Sequence, residues 1–145
     1  MKTFAANRLP LLLLLLLPLS SLAQEIQYQA ISSEALRQSA PGSGIGFKIL
    51  VDAANLGSEE TRIAELTFPV GYAGPSHQHE AIEIFYVLSG RFGHNVNGAD
   101  GVLAAGDVGI VKPGDNIIHS VIGDEPAVVL TIWLPGGAVA PFHAP

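Results

Sequence analysis

The chain has 145 residues, no cysteine, and seven basic against thirteen acidic residues, for a formal net charge of −6. The missing cysteine excludes disulfide stapling and thiolate zinc, copper or iron–sulfur centres. The acidic balance offers no basic patch, which argues against nucleic acid or an anionic membrane surface as partner.

The first 23 residues read as a signal peptide. Lys2 and Arg8 precede Leu9 to Leu17, which is nearly all leucine, and Ser21-Leu22-Ala23 sets small residues at the minus-three and minus-one positions before Gln24. A transmembrane span needs about 20 apolar residues, whereas this run is shorter and carries Pro10 and Pro18. Cleavage leaves 122 residues with five basic and thirteen acidic side chains, so the charge becomes −8. One exported domain is expected, periplasmic in a Gram-negative cell and otherwise secreted, with no membrane attachment after cleavage. Its size makes burial the source of stability, and dimerisation would enlarge that burial.

Glu25 to Ile31 alternates apolar and polar residues as a half-buried strand does. Ser33 can cap a short helical turn over Glu34 to Gln38, and Ser39 to Gly46, with Pro41 and three glycines, reads as a loop. Phe47 to Val51 is a strand candidate, Asn55 to Thr61 a turn, and Arg62 to Phe68 a strand with one apolar face. A Gly/Pro loop from Gly71 to Ser76 leads into an apolar strand over Glu83 to Leu88. Arg91 to Val96 follows, with the hairpin dipeptide Asn97-Gly98 after it and a short strand at Val102-Leu103. Val108 to Val111 stops at Pro113-Gly114, and Asp115 to Ile118 leads to His119 and an extended Val121-Ile122. Val128 to Leu134 is the last strand, before a proline-rich tail over Pro135 to Pro145. Eight to ten short strands with turn signals between them predict an all-β sandwich or barrel.

The chemistry concentrates between Gly71 and Gly90, in GYAGPSHQHEAIEIFYVLSG. In an extended segment residues of equal parity share a face, so His77, His79 and Glu83 can converge. Imidazole nitrogen and carboxylate oxygen suit borderline divalent metals. Glu83 stands in an apolar run, where a carboxylate needs a partner or a metal. An exposed polar turn is the plainer alternative for a His-X-His pair alone.

These residues resemble the first motif of the cupin superfamily. Gly71, five residues, His77, one residue, His79, three residues, Glu83, six residues and Gly90 meet it at every defined position. The second motif matches at Gly106 and Gly114, with Lys112 in place of proline, Pro113 one position late, and His119 four residues after Gly114 instead of two. Gly123 stands where asparagine is usual. The resemblance covers Arg62 to Leu134, half of the chain, and implies a small RmlC-like jelly-roll β-barrel of the type-2 cupin kind. It divides the chain into a leader (1–23), N-terminal strands and linker packed on the barrel (24–61), a cupin core (62–134) and a tail (135–145). It further implies a divalent ion of Mn, Fe, Ni, Zn, Cu or Co held by His77, His79, Glu83 and His119. Homodimerisation is expected.

Three imidazoles and one carboxylate leave such an ion a local charge of about +1 and two open octahedral positions. Polarising a carbonyl, acidifying water or stabilising an enolate are the available chemistries. His94, sharing a strand face with Phe92 and Val96, is the candidate acid or base, while Tyr86 and Trp133 read as packing or interface and His143 as part of the tail. The expected function is a metal-dependent dioxygenase, oxidase, lyase or isomerase acting on a small oxygen-rich molecule. The alternative is a non-catalytic module holding a metal or a sugar-like ligand. Germin-like oxalate oxidases share the three-histidine, one-glutamate set and export.

Overall fold

The computed structural model describes residues 37–39 and 44–139, with side chains described for the latter. The leader, the strand expected over Glu25 to Ile31, and His143 lie outside the described residues. Nine strands are present among those described: β1 (Arg37–Ser39), β2 (Gly46–Val51), β3 (Arg62–Phe68), β4 (Ile82–Ser89), β5 (Arg91–Val96), β6 (Ala99–Ala104), β7 (Val108–Val111), β8 (Ile117–Val121) and β9 (Ala127–Leu134). They form an antiparallel six-stranded sheet in the order β1-β2-β3-β9-β4-β7 and a three-stranded sheet in the order β6-β5-β8. This is a two-sheet jelly roll with almost no helix. No described helix is long and apolar enough to cross a membrane.

Period-2 patterning decides which side chains enter the barrel. In β9, Ala127, Val129, Thr131 and Trp133 point inward and the residues between them are half-buried. Phe85, Val87 and Phe92 are fully buried where the two sheets face each other. Each such side chain contributes about 1.5–3 kcal/mol of transfer free energy. Asn97 takes a φ of 53° and turns β5 into β6 together with Gly98, as the dipeptide predicts. Gly90 has a φ of 76°, and a Cβ there would overlap the Pro126 carbonyl oxygen, so the close passage from β4 to β5 requires glycine.

Three local expectations are corrected. Arg37 and Gln38 are extended, paired with Lys48 and Phe47, instead of helical. A single helical turn is a marginal structure, and a strand ladder overrides it. Ser39 and Gly46, expected in a loop, close that ladder as partners. The turn expected over Asn55 to Thr61 starts inside one helical turn, α1 (Ala53–Leu56), because Asp52 accepts from the Ala54 and Asn55 amides while Asn55 Oδ1 accepts from the Asp52 amide.

Candidate metal centre

Two backbone connections bring the four sequence-predicted ligands to one end of the barrel. The segment before β4 runs antiparallel to β8, with Gly74 N donating to His119 O (2.9 Å), His77 N to Ile117 O (3.0 Å) and Ile117 N to His77 O (2.9 Å). His77 therefore sits across from the strand that carries His119, and their rings meet edge to face at 5.6 Å. After a bend at Glu80 and Ala81, β4 begins and turns Glu83 inward. Parity gives the right convergence although the segment is not one continuous strand.

The irregular second motif is absorbed by its turn. Asp115 accepts from the Lys112 amide (2.8 Å) and from Asn97 Nδ2 (2.7 Å), and Asn97 Oδ1 accepts from the Asn116 amide (2.9 Å). Gln78 Nε2 donates to Gly114 O and Asn116 Oδ1, tying the two motifs together. The two additional residues thus lengthen a pinned turn, and β8 still presents Ile117, His119 and Val121 inward.

Hydrogen bonding fixes which ring nitrogens face the cavity. A carbonyl only accepts, so His77 Nδ1–H donates to Pro75 O (3.2 Å) and His79 Nδ1–H to Ala81 O (2.9 Å). In the neutral tautomer each Nε2 then carries a lone pair. His79 Nε2 nevertheless lies 2.8 Å from Glu83 Oε2. Two lone pairs at that distance require a cation between them or a proton on the ring, and the Glu83 hydrogen bond accordingly raises the His79 pKa. Trp133 Nε1 donates to Glu83 Oε1 (2.7 Å), opposite Glu83 in the β4–β9 register, and leaves Oε2 for the histidines.

His119 is 5% exposed and neither ring nitrogen has a hydrogen-bond partner. Burial, followed by the neighbouring histidines His94, His77 and His79, lowers its pKa to about 3. Its Nε2 lies 4.0 Å from Glu83 Oε2. Among the described residues no group of three or more His, Asp or Glu side chains is closed into coordinating geometry. The donor set still fits a borderline divalent ion: two second-nitrogen contacts orient His77 and His79, an indole orients the carboxylate, and a buried imidazole lacks any partner. His94 lies behind this group. Its ring stacks on His119 at 5.5 Å and 5°, its backbone partner is Ile110, burial lowers its pKa, and it is not among the residues lining the cavity that His77, His79, Glu83 and His119 share.

That cavity has a volume of about 640 Å³ and opens above the four residues. Two contributors escaped sequence reading. Trp133 reads from sequence as core or interface and is in the core, and its indole N–H, which demands an acceptor when buried, also finds Glu83. Tyr72, half-buried against Phe68 with burial raising its pKa, lines the cavity from the Gly/Pro loop. No pattern in that loop marks it.

A family model described as the cupin domain matches residues 64–133. Solved structures share the fold. An RmlC-like cupin from Shewanella frigidimarina aligns with a TM-score of 0.64 at 22% identity over 75% of this chain and 91% of its own. A predicted oxalate decarboxylase from Thermotoga maritima aligns with 0.63 at 22% over 73% and 98%, and the polyketide cyclase RemF from Streptomyces resistomycificus with 0.64 at 16% over 74% and 79%. No curated protein sequence matches the chain. At these identities the likeness carries the fold and nothing finer.

Proposed function

Because residues 64–133 match the cupin domain and the chain has the RmlC-like cupin jelly roll, we propose that this protein is an exported metal-binding cupin that acts as a metal-dependent enzyme on a small oxygen-bearing molecule. The observation that carries the reading is the cluster at Glu83: His79 Nε2 at 2.8 Å, a buried His119 whose ring nitrogens have no hydrogen-bond partner, and an indole clamp on the far oxygen. His77, His79, Glu83 and His119 would hold a divalent ion of the manganese-to-zinc range. Bound there, such an ion supplies Lewis-acid polarisation of a ligand oxygen and acidifies coordinated water.

The chain's own residues supply the remainder. Trp133 holds the Glu83 carboxylate in one orientation, and the Pro75 and Ala81 carbonyls hold two imidazoles with Nε2 forward. Phe68 and Phe85 stand edge-on to His119 and exclude water from its ring. Tyr72 keeps its proton at neutral pH and can donate to a ligand oxygen. His94, the acid or base expected from sequence, is assigned here to packing behind His119, where its ring fixes the imidazole plane. Export rests on the leader, and pairing of two copies rests on the apolar outer face of β4, β7 and β9.

A non-catalytic binding module is the second reading, favoured by one observation: among the described residues, no histidine other than the proposed ligands lines the cavity as a general base. The two separate in one experiment. Protein purified without affinity-tag metal and loaded with each divalent ion is incubated with a small carboxylate, a diketone and a phenol, with and without dioxygen. Product formation that disappears on chelation supports the enzyme. Stoichiometric binding of a panel member with no turnover under any condition removes the enzyme reading and leaves the binder.

A further inference from the structure

The cavity lining divides into two chemical sets. His77, Gln78, His79, Glu80, Glu83 and His119 supply polar atoms, whereas Phe47, Leu66, Phe68, Phe85 and Trp133 supply aromatic and aliphatic wall. Among the described residues that line it there is no lysine or arginine, and its two charged groups, Glu80 and Glu83, are both acidic. A small dicarboxylate entering this space would give up its hydration against apolar rings and a carboxylate, with one cation at most to compensate. Such desolvation is costly unless the charge is fully paired. An uncharged ring system instead gains by withdrawing its apolar area from water and can meet Phe68 and Phe85 in edge-to-face contact. A volume of about 640 Å³ also exceeds the need of a two- or three-carbon acid, and it matches the size of clefts that enclose drug-sized ligands.

We propose that the site takes a neutral or singly ionised aromatic or fused-ring molecule that presents phenol, enol or ketone oxygens on one edge, and that it discriminates against small dicarboxylates. The ring body is selected by Phe47, Leu66, Phe68 and Trp133, and the oxygens face the histidine–glutamate end. The second half of this statement rests on the metal reading above, and the first half does not.

Calorimetric titration of the full exported chain, metal-loaded with measured metal content and metal-free, against naphthol, a vicinal dihydroxynaphthalene and oxalate tests it. Naphthol binds the metal-free protein, and the dihydroxynaphthalene binds the loaded protein at least about tenfold more tightly than oxalate. Val139, half-buried at the rim of the cavity, provides a charge probe: Val139→Lys narrows that ratio while the unfolding midpoint stays near the wild-type value. Oxalate binding as tight as either aromatic in the wild-type protein overturns the proposal, as does failure of naphthol to bind the metal-free form. Equal affinity of the loaded protein for the two naphthols removes the metal reading and leaves the aromatic preference standing.

Discussion

Trp133 shows how one side chain can serve core and site together. It is 2% exposed, fills the barrel interior from the strand beside β4, and donates its indole N–H to Glu83. Trp133→Phe keeps an aromatic ring and removes the donor, so the fold survives while the carboxylate loses its orientation. Metal affinity should fall roughly 10- to 100-fold, the usual effect of deleting such a supporting contact, as read by competition with a chromophoric chelator. Unchanged affinity would show that the indole only packs.

The buried histidines also set the pH response of the metal-free protein. His119, with a pKa near 3 in the folded state, and His94, lowered in the same direction, stay neutral where an unfolded chain would protonate them near 6.5. The unfolded state binds more protons between pH 6.5 and about 3, so stability is fully present above that window and lost as pH falls through it. His79 has the opposite sign, because its raised pKa gives a contribution present at low pH and lost as pH rises through the folded value. Two groups against one, with the largest shift on His119, predict net acid destabilisation on the order of a few kcal/mol. Urea midpoints of chelator-treated protein between pH 7 and 4 measure it. A midpoint that rises on acidification would mean that the His79–Glu83 pair dominates.

At the level of elements, the tight crossing after β4 is the most demanding backbone feature near the site. Gly90→Ala sets a Cβ against Pro126 and a side chain at a φ of 76°. It should destabilise by about 1–3 kcal/mol or more, visible as a lowered thermal midpoint, and a midpoint equal to wild type would contradict the strain. The glycine was legible as a motif position, and the structure supplies its physical reason. Strand limits over Arg91–Val96 and Val108–Val111 were equally legible, since alternation and turn dipeptides bounded them. The pairing of Arg37–Ser39 with β2 was not, because a three-residue strand is specified by its partner and not by its own pattern. Nor could spacing alone place His119. Its inward position depends on Asn97, Asp115 and Gln78 bonding across distant parts of the chain.

For the whole molecule, the six-stranded sheet has an outer face unlike a solvated one. Ile84 sits between Ile110 and Ile132, and Tyr86 between Val108 and Leu130, with Tyr86, Val108 and Ile110 each more than two-fifths exposed. The alternating interior set and this outer set together explain why β4 and β9 read as apolar on both faces. The proposed pairing of two copies would use this outer face, which a two-fold axis can match to its own copy. If it does, Ile110→Glu gives a monomer in sedimentation equilibrium with metal content retained. A wild-type chain that sediments as a monomer at micromolar concentration would remove the pairing.

His77, His79, Glu83 and His119 are proposed to hold one divalent ion, and the decisive measurement is metal content per chain of Glu83→Gln beside wild type. The substitution keeps the side-chain volume and an oxygen for Trp133 while removing the negative charge. Wild-type protein purified without affinity-tag metal should carry one equivalent and the variant less than about a tenth of that; a full equivalent in folded Glu83→Gln would rule the four-residue site out.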